Sequence, residues 1–194
     1  MTGVRRTRRG LVVSFDDVEA SLLRHLVGEV RALLADGLPA SAAPADAELA
    51  ALTGMDDGPL GPNGHASGLD DVAAREEPVD PALARLLPDA YRDDAAAAGE
   101  FRRLTEASLR RDKVSAADRM LAALPADGPG EVRLDPETVE SWLSTINDVR
   151  LALGTRLEVT EEMPEPDPDD PDAPAYVVYL WLTELQGVLV EAAE

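Results

Sequence analysis

Hydrophobic positions along the chain fall into blocks at helical spacing, separated by stretches in which the pattern dissolves. The first block opens with residues 9–15, R-G-L-V-V-S-F, a short apolar run with the length and β-branched content of a strand. Asp16-Asp17-Val18-Glu19 then carries the D-x-x-E pattern of a capping box. Val18, Leu22, Leu23, Leu26, Val30, Leu33 and Leu34 follow at a spacing that predicts a helix with one buried face. Gly37-Leu38-Pro39 supplies its stop.

From about residue 38 to 77 the pattern gives way to Ala, Gly, Pro and Asp, with few large apolar residues to offset chain entropy. This stretch reads as a disordered, mobile insertion within one domain, because helix-forming sequence lies on both sides. A weak helical segment at 45–52 can interrupt it. Asp80-Pro81 then predicts a cap and a first-turn proline for a short helix over 82–87. A longer helix is expected from about 94 to 113, burying Ala97, Phe101, Leu104 and Leu109. Ser115-Ala-Ala-Asp118 reads as another cap, opening a separate helix with Met120, Leu121 and Leu124 inside.

Residues 131–134 read as a second short strand, and Asp135-Pro136 as the cap of a helix reaching Leu153, with Gly154 as its stop. Val139, Trp142, Leu143, Ile146, Val149 and Leu153 form its apolar stripe. This strand, cap and helix echo the first such unit, which predicts that the two strands pair beside two equivalent helices. An acidic, proline-rich loop spans about 160–174. The closing stretch 175–193 is apolar nearly all round, the signature of a central, buried helix; a strand over 176–182 is the alternative, and length favours the helix. The expected fold is a single mainly α domain over 1–194. It has about six helices around a buried C-terminal helix, with a minor two-stranded β element.

Composition narrows the function. The chain has 194 residues, 45% of them hydrophobic, which fits a globular domain. Its 18 basic against 38 acidic residues give a net charge of −20, which argues against a generic nucleic-acid or anionic-membrane binder. There is no cysteine, so disulfides, thiolate metal sites and thiol catalysis are excluded. His25 and His65 stand far apart and form no ligand cluster. Asp167, Asp169, Asp170 and Asp172 have the acidity of a calcium loop but prolines where it needs flexibility and no central glycine, so they read as a solvated linker. No nucleophile elbow and no phosphate loop with its lysine are present. No enzyme activity, cofactor or metal is expected. The apolar run at 11–15 is too short for a secretory core and no segment reaches membrane-spanning length, so a cytoplasmic protein with no membrane contact is the expectation.

Charge is unevenly placed. No basic residue follows Arg156, whereas Arg102, Arg103, Arg110, Arg111 and Lys113 form a basic strip that could dock a partner; the plainer reading is a solvated helix face paired with neighbouring acids. Arg5, Arg6, Arg8 and Arg9 could form an arm reaching phosphates or a minor groove, or simply a frayed, solubilising terminus. A helix-turn-helix near Val114 would carry only Arg119 on its second helix, too little to read DNA by itself. Asn147, Arg150 and Arg156 read as residues that satisfy buried carbonyls or carboxylates between helices.

Three blocks carry a family resemblance: L-A-R-L-L-P-D-A-Y-R-D-D at 83–94, E-F-R-R-L-T-E-A-S-L-R-R-D-K at 100–113, and S-W-L-S-T-I-N-D-V-R-L-A-L-G-T-R-L at 141–157. With Y-L-W-L-T-E-L-Q at 179–186, they resemble an actinobacterial family of unknown function that includes oxidative-stress regulators. The resemblance implies a cytoplasmic, non-catalytic regulator. In the characterised branch it works through an extracytoplasmic-function sigma factor to promote transcription of cysteine-biosynthesis genes. A sigma factor or RNA polymerase is therefore the expected partner, with direct DNA binding as an alternative. Family genes also tend to lie beside that of a proteolytic adaptor, so a role in regulated proteolysis is a further alternative. Redox sensing in that branch is attributed to a cysteine pair, which this chain lacks.

Overall fold

A computed structural model describes residues 3–36, 38, 80–88, 95–126, 128–160 and 170–193, with side chains in the third helix from residue 105 onward. The insertion over 39–79, the weak helical segment inside it and the acidic stretch 161–169 lie outside the described residues. The chain begins with a hairpin of β1 (Gly3–Thr7) and β2 (Gly10–Phe15). Arg8 and Arg9 make the tight turn, pinned where Thr7 Oγ1 donates to the Gly10 carbonyl at 2.9 Å. Gly10 follows with φ 125°, a left-handed backbone that favours glycine. β3 (Gly130–Leu134) pairs antiparallel with β2, so the sheet order is β1-β2-β3.

Five helices complete the described fold: α1 (Asp17–Ala35), α2 (Pro81–Leu86), α3 (Ala95–Ala123), α4 (Pro136–Arg156) and α5 (Ala173–Ala193). Three of them start where local chemistry requires. Asp16 accepts from the Glu19 amide while Glu19 reaches back to the Asp16 amide, a complete capping box. Asp80 caps α2 by accepting from the Ala82 and Leu83 amides and Asp135 caps α4 by accepting from the Thr138 amide, each followed by proline. The pairing of β2 with β3, each leading through an aspartate cap into a long helix, matches the predicted echo.

One face of the sheet builds the core. Leu11, Val13 and Phe15 of β2 and Val132 and Leu134 of β3 pack with Leu23, Val27 and Leu34 of α1, Met120 of α3, Trp142 and Ile146 of α4, and Leu182 and Leu189 of α5. Phe15 and Trp142 meet as tilted rings 6.1 Å apart. α3 lies along α1, α4 holds α2 and α5, and α5 also touches the β1 edge of the sheet.

Several expectations are corrected. The sheet has three strands, since β1 has only Val4 as an apolar residue and so shows no alternation for a strand pattern to register. The described residues form five helices, because the two predicted between 94 and 124 are one. Residues 100–124 contain neither Gly nor Pro, and Ser115, read as a cap, instead accepts from Arg119 one turn later inside the helix. No helix-turn-helix therefore exists near Val114. α4 runs past Gly154 to Arg156, and that glycine is there for packing: a Cβ would come within 3.1 Å of the Tyr179 ring. Leu109 and Val18, expected inside, are exposed. The C-terminal helix is not central. Leu182, Leu185 and Leu189 are buried, while Val177, Leu180, Val188 and Val190 face outward.

Candidate functional site

Strand alternation sends the other set of side chains to the open face of the sheet. Register places Arg5 of β1 and Arg133 of β3 on either side of Val12, with Ser14 and Glu131 as neighbours one step along. Val12 is buried although it takes no part in the core. The arginines of the hairpin turn, Arg8 and Arg9, close the same end of the face. Arg5, Thr7, Arg8, Arg9, Arg133 and Asp135 line a concave cavity of about 560 Å³ with Val12 as part of its floor.

The electrostatics of this cavity are lopsided. Arg5 Nη2 lies 3.3 Å from both carboxylate oxygens of Glu131. Asp135 is committed to its cap: bonds from Thr138 hold its carboxyl below the usual carboxylate range, so it stays ionised. Arg8, Arg9 and Arg133 form no ion pair with any described residue. In a chain with 38 acids against 18 bases, three guanidiniums that line one cavity and form no ion pair among the described residues are conspicuous, even with the capping carboxylate of Asp135 in the same lining. They present planar donor forks to an anion, over a partly apolar floor. Within the cavity the Thr7 hydroxyl donates to the Gly10 carbonyl and the Asp135 carboxylate accepts from the Thr138 amide.

Two members of the strip expected on α3, Arg110 and Lys113, are engaged within the fold. Arg110 donates to Glu106 and to the carbonyls of Leu34 and Asp36, closing the C-terminal end of α1. Lys113 Nζ reaches Asp148 Oδ1 at 2.6 Å between α3 and α4, with both groups largely buried. Burial pushes the Asp148 carboxyl up, against the opposing pull of Lys113. Arg111 is exposed and bonds the Ala107 carbonyl of its own helix. The side chains of Arg102 and Arg103 lie outside the described residues. Of the N-terminal arginines, Arg5, Arg8 and Arg9 line the cavity. Arg6, paired in register with Leu11, is exposed and does not. These four residues are built into a hairpin instead of trailing as a frayed arm.

Arg133 was not among the sequence candidates. Its signal was present in G-E-V-R-L: alternation puts it opposite Val132 and Leu134, and the strand echo places it beside the N-terminal strand. Arg150, read as structural, bonds Thr183 and Gln186 and lies over the Tyr179 ring, 5.4 Å from its centroid. That use engages one of the two arginines, Arg85 and Arg150, that line a second cavity of about 330 Å³ near the C-terminal end of α4. His25 is exposed on α1, and His65 lies outside the described residues. Among the described residues no group of three His, Cys, Asp or Glu side chains could hold a metal.

The described fold is thus mainly helical, with a small antiparallel sheet whose open face is lined by arginines. The chain belongs to a family described as a domain of unknown function, DUF2017, whose profile matches residues 1–193. Proteins named oxidative stress regulator AosR from Mycobacterium tuberculosis H37Rv and Mycobacterium bovis are each 37% identical to it over 186 residues, covering 89% of this chain and 77% of theirs. A Mycobacterium leprae relative is 34% identical over 188 residues, covering 90% of this chain and 78% of its own. No solved structure matches the chain.

Proposed function

We propose that this chain is a non-catalytic, cytoplasmic regulator of the oxidative-stress response, acting by macromolecular contact through the arginine-lined face of its sheet. Similarity to the mycobacterial relatives over most of both chains supports the stress-response part of this reading. The observation that carries the contact is that Arg8, Arg9 and Arg133 line one cavity and form no ion pair among the described residues. Guanidinium forks of this kind are favoured where carboxylates or phosphates are recognised. The proposed partner is a sigma factor or RNA polymerase presenting an acidic surface. Because the chain has no cysteine, oxidant reaches this regulator through its partner or its abundance and not through a thiol of its own.

A second reading, direct DNA contact, is favoured by the same arginines standing on a sheet face and hairpin tip that could lie along phosphates. The test compares the full chain with an Arg8→Ala/Arg9→Ala/Arg133→Ala variant, each tagged and recovered from the native host before and after peroxide. Recovery of a sigma factor or polymerase by the wild type, reduced about tenfold or more in the variant, is expected for a charge-centred contact. Equal recovery by both proteins, or recovery of protease components alone, would remove this face from the account.

A further inference from the structure

The two edges of the sheet differ in character. β1, at one edge, is touched by α5 and carries the adjacent cations Arg5 and Arg6. β3, at the other, sends Val132 and Leu134 into the core and is touched mainly by β2 and α4. Register fixes which of its backbone groups are used. Thr7 and Gly10 flank a two-residue turn and form a hydrogen-bonded pair, so by alternation Gly10, Val12 and Ser14 bond β1 while Leu11, Val13 and Phe15 bond β3. Gly130, Val132 and Leu134 are thereby used on β2, and the N–H and C=O of Glu131 and Arg133 point out from the sheet. No described residue bonds these outward groups. Both side chains are exposed. The strand also lacks the features that guard an edge: G-E-V-R-L has no proline or lysine, and its pairing with β2 is continuous, without a bulge.

We infer that β3 pairs antiparallel with β3 of a second copy of this chain, joining two sheets into one. Self-complementarity selects the occupant. A two-fold axis at Val132 sets Glu131 opposite Arg133 of the second copy and Arg133 opposite its Glu131, with all five residues of the strand overlapping. These are the residues whose backbone groups point outward, so each pair exchanges hydrogen bonds and also sets unlike charges side by side. Sliding the register by two residues either way shortens the overlap and sets Glu131 against Glu131 or Arg133 against Arg133. An antiparallel strand from elsewhere in the chain would need an acid two positions before a base. The stretches 39–79, 89–94 and 161–169 offer only Arg75 and Arg92, which follow Ala73 and Ala90 at that spacing. A strand pair of this length is small beside a standard interface, so the dimer is weak and concentration-dependent. The inference stands apart from the partner contact proposed above. Arg133 gains a carboxylate in the dimer, while Arg8 and Arg9 at the hairpin turn do not, and the axis puts both copies of that turn on one continuous sheet face.

The experiment is analytical ultracentrifugation of the purified full chain, from low-micromolar to near-millimolar concentration. Physiological salt screens charges beyond about 8 Å, so adjacent pairs outweigh the repulsion between two acidic molecules. The wild type is expected to pass from monomer to dimer over this range. Glu131→Arg and Arg133→Glu each oppose like charges at both pairs, and each should weaken dimerisation about tenfold or more. An equimolar mixture of the two variants restores unlike charges at both pairs and should regain the wild-type strength as a heterodimer. Circular dichroism and the thermal unfolding midpoint of each variant check that it is folded. No other protein is present, so the result is independent of any contact with a sigma factor or polymerase. A wild type that stays monomeric throughout would overturn the proposal. So would folded single variants that dimerise as tightly as the wild type, or a mixture no tighter than either variant alone.

Discussion

Gly10 does two things that no other residue could do at its position. Its φ of 125° lets β1 turn into β2, and its missing Cβ leaves room for the Leu134 carbonyl oxygen, which a side chain would approach to 2.0 Å. Gly10→Ala should therefore strain the hairpin and part β2 from β3 beside the arginine cavity. A loss of about 1–3 kcal/mol in urea-unfolding free energy is expected. An unchanged unfolding midpoint would mean that the turn can be rebuilt cheaply. Asp16 and Asp135 act through charge. Bonds from the Glu19 amide and from Thr138, respectively, are the main reasons their carboxyls are held below the ordinary range. A lowered folded value makes their contribution present above the unfolded carboxyl value of about 3.9 and lost as pH falls through the folded one. The double variant Asp16→Asn/Asp135→Asn should thus flatten the fall in stability below about pH 4 seen in acid titration of the wild type. Both caps were legible in the sequence, because a cap is a local pattern of a few residues. Arg110 was not: its carbonyl partners lie some seventy residues away, and spacing within its own helix cannot report them.

Elements show the same division between local and distant causes. α1 and α4 were legible because each combines an aspartate cap with an apolar stripe. β1 was hidden because its strand character depends on pairing with β2, not on its own alternation. The apolar composition of α5 predicted a helix correctly but misplaced it, since hydrophobicity alone cannot distinguish a helix enclosed on all sides from one that packs through a single face. α3 and α4 are joined by the Lys113–Asp148 pair, where removing one partner strands the other in a largely buried setting. Lys113→Met and Asp148→Leu should each cost about 3 kcal/mol, while the double variant should come close to wild type in the same unfolding assay. Additive losses would mean that the pair is not coupled. Burial holds the Asp148 carboxyl above its ordinary value, so its effect on stability runs opposite to that of the caps: the favourable share is present at low pH and lost as pH rises through the raised value.

At the scale of the whole molecule, charge segregates into surfaces of opposite character. The net charge of −20 hides an arginine-rich sheet face at the N-terminus, while the stretch after Arg156 carries acids and no base. Screening over about 8 Å at physiological salt lets the basic face act locally despite the acidic whole. Half of this site could be read from the sequence, as the run Arg5 to Arg9. The other half, Arg133, comes from a strand more than a hundred residues later and becomes a neighbour only through sheet register. The most direct measurement titrates the full chain against purified RNA polymerase, with and without individual host sigma factors, across a series of salt concentrations. The wild type is expected to bind one of these proteins with an affinity that falls steeply with salt. The Arg8→Ala/Arg9→Ala/Arg133→Ala variant should bind about tenfold or more weakly, with a shallower salt dependence and an unchanged fold. Binding of equal strength and equal salt dependence in the two proteins would contradict the account, as would an interaction with duplex DNA alone.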